Sequence, residues 1–164
     1  MQVIRDRRAL HAIPELGMEL PKTAAYIKNA LNDLGCEVFC PLEYAVCAYF
    51  DFGAERSIAF RADMDALPIR EEADVPFACP EGRMHACGHD AHTAILLGTA
   101  KALKEMEDKL SCRVKLVFQP SEEGVTSGAM MMIENGVHRD FKYVEMLDYI
   151  HNNVLPYARV GAVS

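Results

Sequence analysis

Apolar residues recur at steps of three and four in two long stretches of the chain, which predict helices, and two shorter stretches, at the N-terminus and before Gly136, also read as helices. Val3, Ile4 and Leu10 mark the first as inward positions over residues 1–12, with Pro14 and Gly17 closing it. The second opens at Pro21, carries Ala24, Ile27, Leu31 and Leu34 on one face, and meets Gly35 where a helix should stop. The third follows Asp90: Leu96, Ala100, Leu103, Met106 and Leu110 form the inner stripe, and Lys101, Lys104, Glu105, Glu107 and Asp108 the outer face. A short fourth occupies 128–135 and is stopped by Gly136.

Between the helices the pattern changes to the alternation of strands, at 37–40, 44–50, 57–65 and 112–118, and more weakly at 146–151 and 159–163. Residues 70–83 are acidic, Pro-containing and aperiodic, hence a loop. No internal repeat or low-complexity linker interrupts the chain. Alternating helix and strand predict an α/β layered domain with its chemistry gathered at strand ends. At 164 residues and 51% hydrophobic, residues 1–164 suffice for one domain with a sizeable core.

Charge narrows the partners. A net charge of −7 without a run of Lys or Arg argues against a nucleic-acid or anionic-membrane surface. The N-terminus lacks the apolar region of a signal peptide and no later run approaches a membrane span, so the expected compartment is cytoplasmic. Six cysteines are then expected to be reduced. Cys36, Cys40 and Cys47 read as core or half-buried strand residues, and Cys79 has no nearby His to make it a ligand.

Chemistry concentrates in Met84-His85-Ala86-Cys87-Gly88-His89-Asp90-Ala91-His92-Thr93. Cys87 and His89, separated only by Gly88, can close on one metal ion. Asp90 can cap the helix that follows, alone or while also supporting a metal-bound imidazole. Asp63 and Asp65, two apart at the end of an extended segment, can be aimed together at a site beyond the strand; the alternative is a pair of solvated loop acids before Pro68. In Glu122-Glu123-Gly124 one carboxylate can bind metal while its neighbour moves protons, or the pair can form an acidic cap for the fourth helix. His151 ends a strand-like stretch, where a lone His is ordinarily structural.

Three segments together resemble the M20 metallopeptidase family: Arg61-Ala62-Asp63-Met64-Asp65-Ala66-Leu67-Pro68-Ile69, His85-Ala86-Cys87-Gly88-His89-Asp90-Ala91-His92-Thr93 and Phe118-Gln119-Pro120-Ser121-Glu122-Glu123-Gly124. The best match is the amidohydrolase branch, with its hippurate, N-acyl-amino-acid and auxin-conjugate hydrolases. Leu10-His11-Ala12-Ile13-Pro14-Glu15-Leu16-Gly17 is similar to that branch's N-terminal motif, with Ile13 where a second His is usual.

The resemblance implies a mixed sheet with flanking helices, the N-terminal half of a zinc-peptidase catalytic domain. It implies Cys87, His89 and Glu123 as metal ligands, Glu122 as general acid/base and Asp65 supporting the ligands. His151 is the candidate for a fourth ligand, although its spacing to Pro156 is looser than the family's. One or two divalent ions are expected, zinc or else manganese, cobalt or nickel. The implied reaction is hydrolysis of N-acyl amino acids or short peptides by metal-activated water.

Family members insert a lid and dimerisation domain after the region around 161–164 and supply a further His later. Three readings follow: a truncated or split amidohydrolase, a non-catalytic remnant serving as a binding module, and a domain stapled by structural metal. Glu122 beside Glu123 favours the first over the third, since a structural site has no use for a free carboxylate. A poor hydrolase is expected of this chain alone, with an apolar sheet edge covered by a homo-oligomer or a complementing C-terminal chain.

Overall fold

A computed structural model describes residues 2–53 and 57–137. Its elements run α1 (Gln2–His11), α2 (Pro21–Leu31), β1 (Glu37–Phe39), β2 (Val46–Asp51), β3 (Ser57–Asp63), α3 (His89–Glu105), a 3-10 turn (Glu107–Lys109), β4 (Arg113–Gln119) and α4 (Gly128–Glu134). The strands form one mixed sheet in the order β1-β2-β4-β3. β1 with β2 and β2 with β4 are antiparallel, whereas β3 and β4 run parallel because α3 carries the chain back between them. None of the described helices is long and apolar enough to cross a membrane.

The core lies between the sheet and the helices. Leu20, Ala24, Ile27 and Leu31 of the α2 region and Leu96, Leu97 and Ala100 of α3 pack on Val46, Ala48, Phe50, Val114, Leu116 and Phe118. Period-four burial on the helices thus meets period-two burial on β2 and β4. A smaller cluster on the opposite face joins Ala45 and Cys47 to Met132 of α4.

Several expectations need correction. Ile4 is exposed rather than inward, and Asp6, with Leu10, faces α1's neighbours instead. Met106 falls outside α3 and is exposed, because the helix ends at Glu105 and a 3-10 turn redirects the chain. Cys40 is exposed, one residue beyond β1, while Cys36 is half-buried and Cys47 buried; all six cysteines are free thiols. The segment expected to begin as a buried strand is instead the edge strand β3, whose Ile58 and Phe60 are each 44% exposed among the described residues. Among the described residues no strand flanks β3 on that side, and it packs chiefly against β4 and α3. The strand-like stretches at 146–151 and 159–163, and His151 with them, lie outside the described residues.

Candidate metal centre

Parallel pairing brings the ends of β3 and β4 to the same side of the sheet, with Asp63 opposite Gln119. The loops beyond these ends carry Asp65 and the Glu122-Glu123 pair, and the N-terminus of α3 points into the same region. Gly88 precedes α3 with φ +96°, a left-handed turn that a side chain disfavours, and it sets Cys87 and His89 on either side of one bend. The loop 120–128 is held as firmly. Gly128 donates its amide to the Ser121 carbonyl at 3.1 Å, and a Cβ at Gly128 would stand 1.8 Å from the Pro120 carbonyl oxygen.

One ligand atom from each of Cys87, His89 and Glu123 lies within 4.8 Å of the others. His89 is 3% exposed, and Cys87 and Glu123 face solvent. His89 Nδ1 donates to the main-chain carbonyl of Asp65 at 2.9 Å, which leaves Nε2 as the nitrogen that can bind an ion. The same Nδ1 is 3.6 Å from Asp65 Oδ1, an electrostatic contact rather than a second good hydrogen bond. Glu122 reaches the site from the other side, its Oε2 3.9 Å from His89 Nε2.

Asp65 is 1% exposed, and its two oxygens accept the backbone amides of Glu122 and Glu123 at 3.0 Å each. Burial pushes its carboxyl up, but the contact with His89 and the two amides outweigh that and hold it below the ordinary value. The bond to Asp65, partly opposed by burial, raises His89 to about 8. The Cys87 thiol is also raised, first by its hydrogen bond with Glu123, then by burial and the surrounding carboxylates. A cluster so rich in negative charge fits a divalent cation, whose charge would turn the thiol into a thiolate. Thiol, imidazole and carboxylate are all competent donors, with three protein groups as in a catalytic centre.

The acidic-cap alternative for Glu122 and Glu123 fails here, since Ser127 caps α4 by accepting from the Met130 amide. Asp63 and Asp65 are buried rather than solvated. Asp90 is not the N-cap of α3; Gly88 holds that position, and the buried Asp90 carboxylate binds His11 Nδ1 at 2.7 Å and Arg7 Nε at 2.8 Å. His11 Nε2 continues this network to Glu71 at 2.9 Å. Sequence reasoning missed the network because its members are 60 and 79 residues apart; the His11 motif was its only signal. His85, 4% exposed, was part of the motif but not assigned a role. Neither of its ring nitrogens has a partner among the described residues, and burial lowers it to about 4.

The profile of Peptidase family M20/M25/M40 matches residues 59–160, which contain the whole cluster. Over 97% of its length the chain is 42% identical to a hydrolase of Staphylococcus aureus, covering 41% of that protein. It is 45% identical to the N-acetyl-L-cysteine deacetylase of Bacillus subtilis over 82% of this chain and 33% of the relative. Among solved structures, a dinuclear metal-binding peptidase of the M20 family from Bacillus subtilis superposes with a TM-score of 0.77 at 40% identity, covering 82% of this chain and 39% of that one. The chain thus spans less than half the length of these relatives. Its matched segment, its mixed sheet and the motifs at its strand ends agree, and the chain belongs to peptidase family M20/M25/M40.

Proposed function

We propose that this chain carries the metal-binding part of an amidohydrolase that cleaves small amides, N-acyl amino acids or short peptides. Cys87, His89 and Glu123 are its ligands, with His151 as a further one. The observation that carries the reading is the convergence of one donor atom from each of the three within 4.8 Å, with the Glu122 carboxylate beside them. Zinc suits the thiolate and imidazole; manganese, cobalt and nickel are also compatible with the carboxylate. A bound divalent ion would polarise the scissile carbonyl and acidify the attacking water.

The chain's own residues do the rest. Glu122, exposed and free of the capping role, accepts the proton of the attacking water and delivers it to the leaving amine as the carbon–nitrogen bond breaks. Asp65 fixes the backbone on which Glu122 and Glu123 sit and holds the His89 ring through its carbonyl. Names of relatives support the substrate class: one is an N-acetyl-L-cysteine deacetylase and another a metal-binding peptidase.

The test joins metal content to turnover. In a complete assembly carrying these residues, Cys87→Ala, His89→Ala and Glu123→Ala should each lose zinc or manganese, whereas Glu122→Gln should retain it and lose hydrolysis of N-acyl amino acids by about 100-fold or more. Parallel loss of metal in Glu122→Gln would make Glu122 a ligand, and an unchanged rate would remove it from the mechanism.

A further inference from the structure

Pro14-Glu15-Leu16-Gly17 contributes no ligand to the metal centre, yet its backbone bonds to both loops at the ends of β3 and β4. The sheet ladder ends where the Met64 amide donates to the Gln119 carbonyl at 2.9 Å. Past that bond, among the described residues, no further backbone-to-backbone bond joins the two loops directly. Residues 15–17 bridge them instead. The Ala66 amide, next after Asp65, donates to the Glu15 carbonyl at 2.8 Å, and the Ser121 amide, next before Glu122, donates to the Gly17 carbonyl at 3.0 Å. Leu16, between the two, pairs with Ala66 in a parallel bridge.

Both ends of this clip are anchored. The Glu15 carboxylate, in a residue 5% exposed, accepts the amides of Lys22 and Thr23 at 3.1 and 2.9 Å and the Thr23 hydroxyl at 2.9 Å, which ties it to the first turn of α2. Gly17 has φ +57°, and Ser121 has φ +52°, the one left-handed residue other than glycine among the described residues. A serine persists in that conformation only where its surroundings over-determine it. Besides its amide, its Oγ donates to the Thr126 carbonyl at 2.6 Å and its carbonyl accepts the Gly128 amide at 3.1 Å. The reversal at Ser121 sends its own amide to Gly17 and the next two to Asp65.

We propose that Glu15, Gly17 and Ser121 are positioning residues for the acidic pair, setting the distance between the Asp65 carboxylate and the amides of Glu122 and Glu123. The effect on metal rests on the reading of Glu123 as a ligand, whereas the geometry does not. Glu15 locks the segment to α2, its carbonyl and that of Gly17 hold the two loops in register, and Ser121 passes that register to the acidic pair. The left-handed turn at Gly17 is the part that a substitution can remove without a clash. A Cβ there meets nothing within 4 Å, so a side chain acts through the backbone conformation it allows.

Gly17→Pro fixes φ at about −65° and forbids the turn, whereas Gly17→Asn tolerates it. Both are compared with the wild type as the full chain, by amide NMR without metal and by cobalt(II) titration of the metal-stripped chain. The Glu122 and Glu123 amide protons lie downfield while bound to a carboxylate. Gly17→Pro should shift both upfield, leave the amide resonances of β2 in place, and weaken cobalt binding by about tenfold or more, the usual cost of losing a ligand's outer support. Gly17→Asn should do neither. A chain that is only less stable keeps its folded resonances and its cobalt affinity, so instability alone does not reproduce this result. If Gly17→Pro does not fold, Gly17→Val, strained at positive φ but not barred from it, should give the same changes in smaller measure. Wild-type resonances in a folded Gly17→Pro or Gly17→Val chain overturn the proposal, as does wild-type cobalt affinity or an equal effect of Gly17→Asn. A wild type that binds no cobalt, with both resonances still shifted by Gly17→Pro, would uphold the positioning and overturn the metal reading.

Discussion

His89 Nδ1 and the main-chain carbonyl of Asp65 are joined at 2.9 Å, while the Asp65 side chain accepts the amides of Glu122 and Glu123 at 3.0 Å each. One aspartate therefore orients an imidazole with its backbone and an acidic pair with its carboxylate. Asp65→Asn would present one oxygen to two amides and turn an NH2 group against the other. We expect a stability loss of about 1–3 kcal/mol by chemical denaturation. Metal affinity should fall by about 10- to 100-fold in titration. Full affinity in Asp65→Asn would show that the loop 120–128 holds the acidic pair without it.

This division of labour also explains what was legible in the sequence. The stripe of α2 and the alternation of β4 are local, set by which side chains face the core: β4 was read to within one residue at each end, whereas α2 opens at Pro21 as expected but ends at Leu31, three residues short of Leu34. The motifs singled out Cys87, His89 and Glu123, and the proximity of these three side chains follows from the parallel pairing of β3 with β4. Asp90 was not. An Asp in the first turn of a helix has the local chemistry of a cap, and only the position of α1 against α3 turns it toward Arg7 and His11. An apolar sheet edge was expected from the family resemblance, but that β3, with Ile58 and Phe60, forms it among the described strands was not legible, because a strand's periodicity does not say which strands flank it.

Asp6 ties three helices together, binding Gln2 Nε2 and Tyr26 Oη at 2.8 Å and Lys101 Nζ at 3.2 Å. Burial opposes ionisation, but these bonds and the Lys101 charge prevail and hold the carboxyl below its ordinary 3.8. Between the lowered and ordinary values the unfolded chain binds more protons than the folded one. The stabilisation is therefore complete above the ordinary value and lost as pH falls through the folded one. Asp6→Asn should cost about 2 kcal/mol at pH 7 and flatten the stability curve below about pH 4. An acid limb identical to the wild type would remove Asp6 from it.

Gly128 and Gly124 offer a contrast within one loop. The Cβ of Gly128→Ala would meet the Pro120 carbonyl oxygen at 1.8 Å and its carbon at 2.8 Å, both backbone atoms that move only if the loop opens. That of Gly124→Ala would meet the Ser121 hydroxyl at 2.3 Å, which can rotate at the expense of its bond to the Thr126 carbonyl. Gly128→Ala should thus lose about 3 kcal/mol or more and Gly124→Ala about 1 kcal/mol. Metal binding should fall with the former, since the same loop carries Glu122 and Glu123. Thermal melts and metal titration of the two variants decide it; equal losses would mean that the loop yields as easily at its backbone as at a side chain.

His11 lies between two carboxylates, its Nδ1 2.7 Å from Asp90 and its Nε2 2.9 Å from Glu71, with all three side chains at most 2% exposed. Removing the imidazole leaves both acids buried. Arg7 still reaches Asp90 at 2.8 Å, and the Cys79 amide still reaches Glu71 at 3.3 Å, but neither refills the space. His11→Ala should cost about 3–5 kcal/mol, the range for stranding one side of a buried pair. His11→Leu combined with Glu71→Gln should cost less than the sum of its parts, because the Glu71 charge that His11→Leu alone leaves buried without its imidazole is absent from the double variant. Metal affinity should fall less than in Asp65→Asn: Asp90 anchors the first turn of α3, whereas the Asp65 carboxylate holds the backbone that carries Glu122 and Glu123. A denaturant-based double-mutant cycle with metal titration of each corner measures both effects. Strict additivity would show that His11 and Glu71 are energetically independent, and a metal loss equal to that of Asp65→Asn would show that the network supports the metal ligands as strongly as the Asp65 carboxylate does.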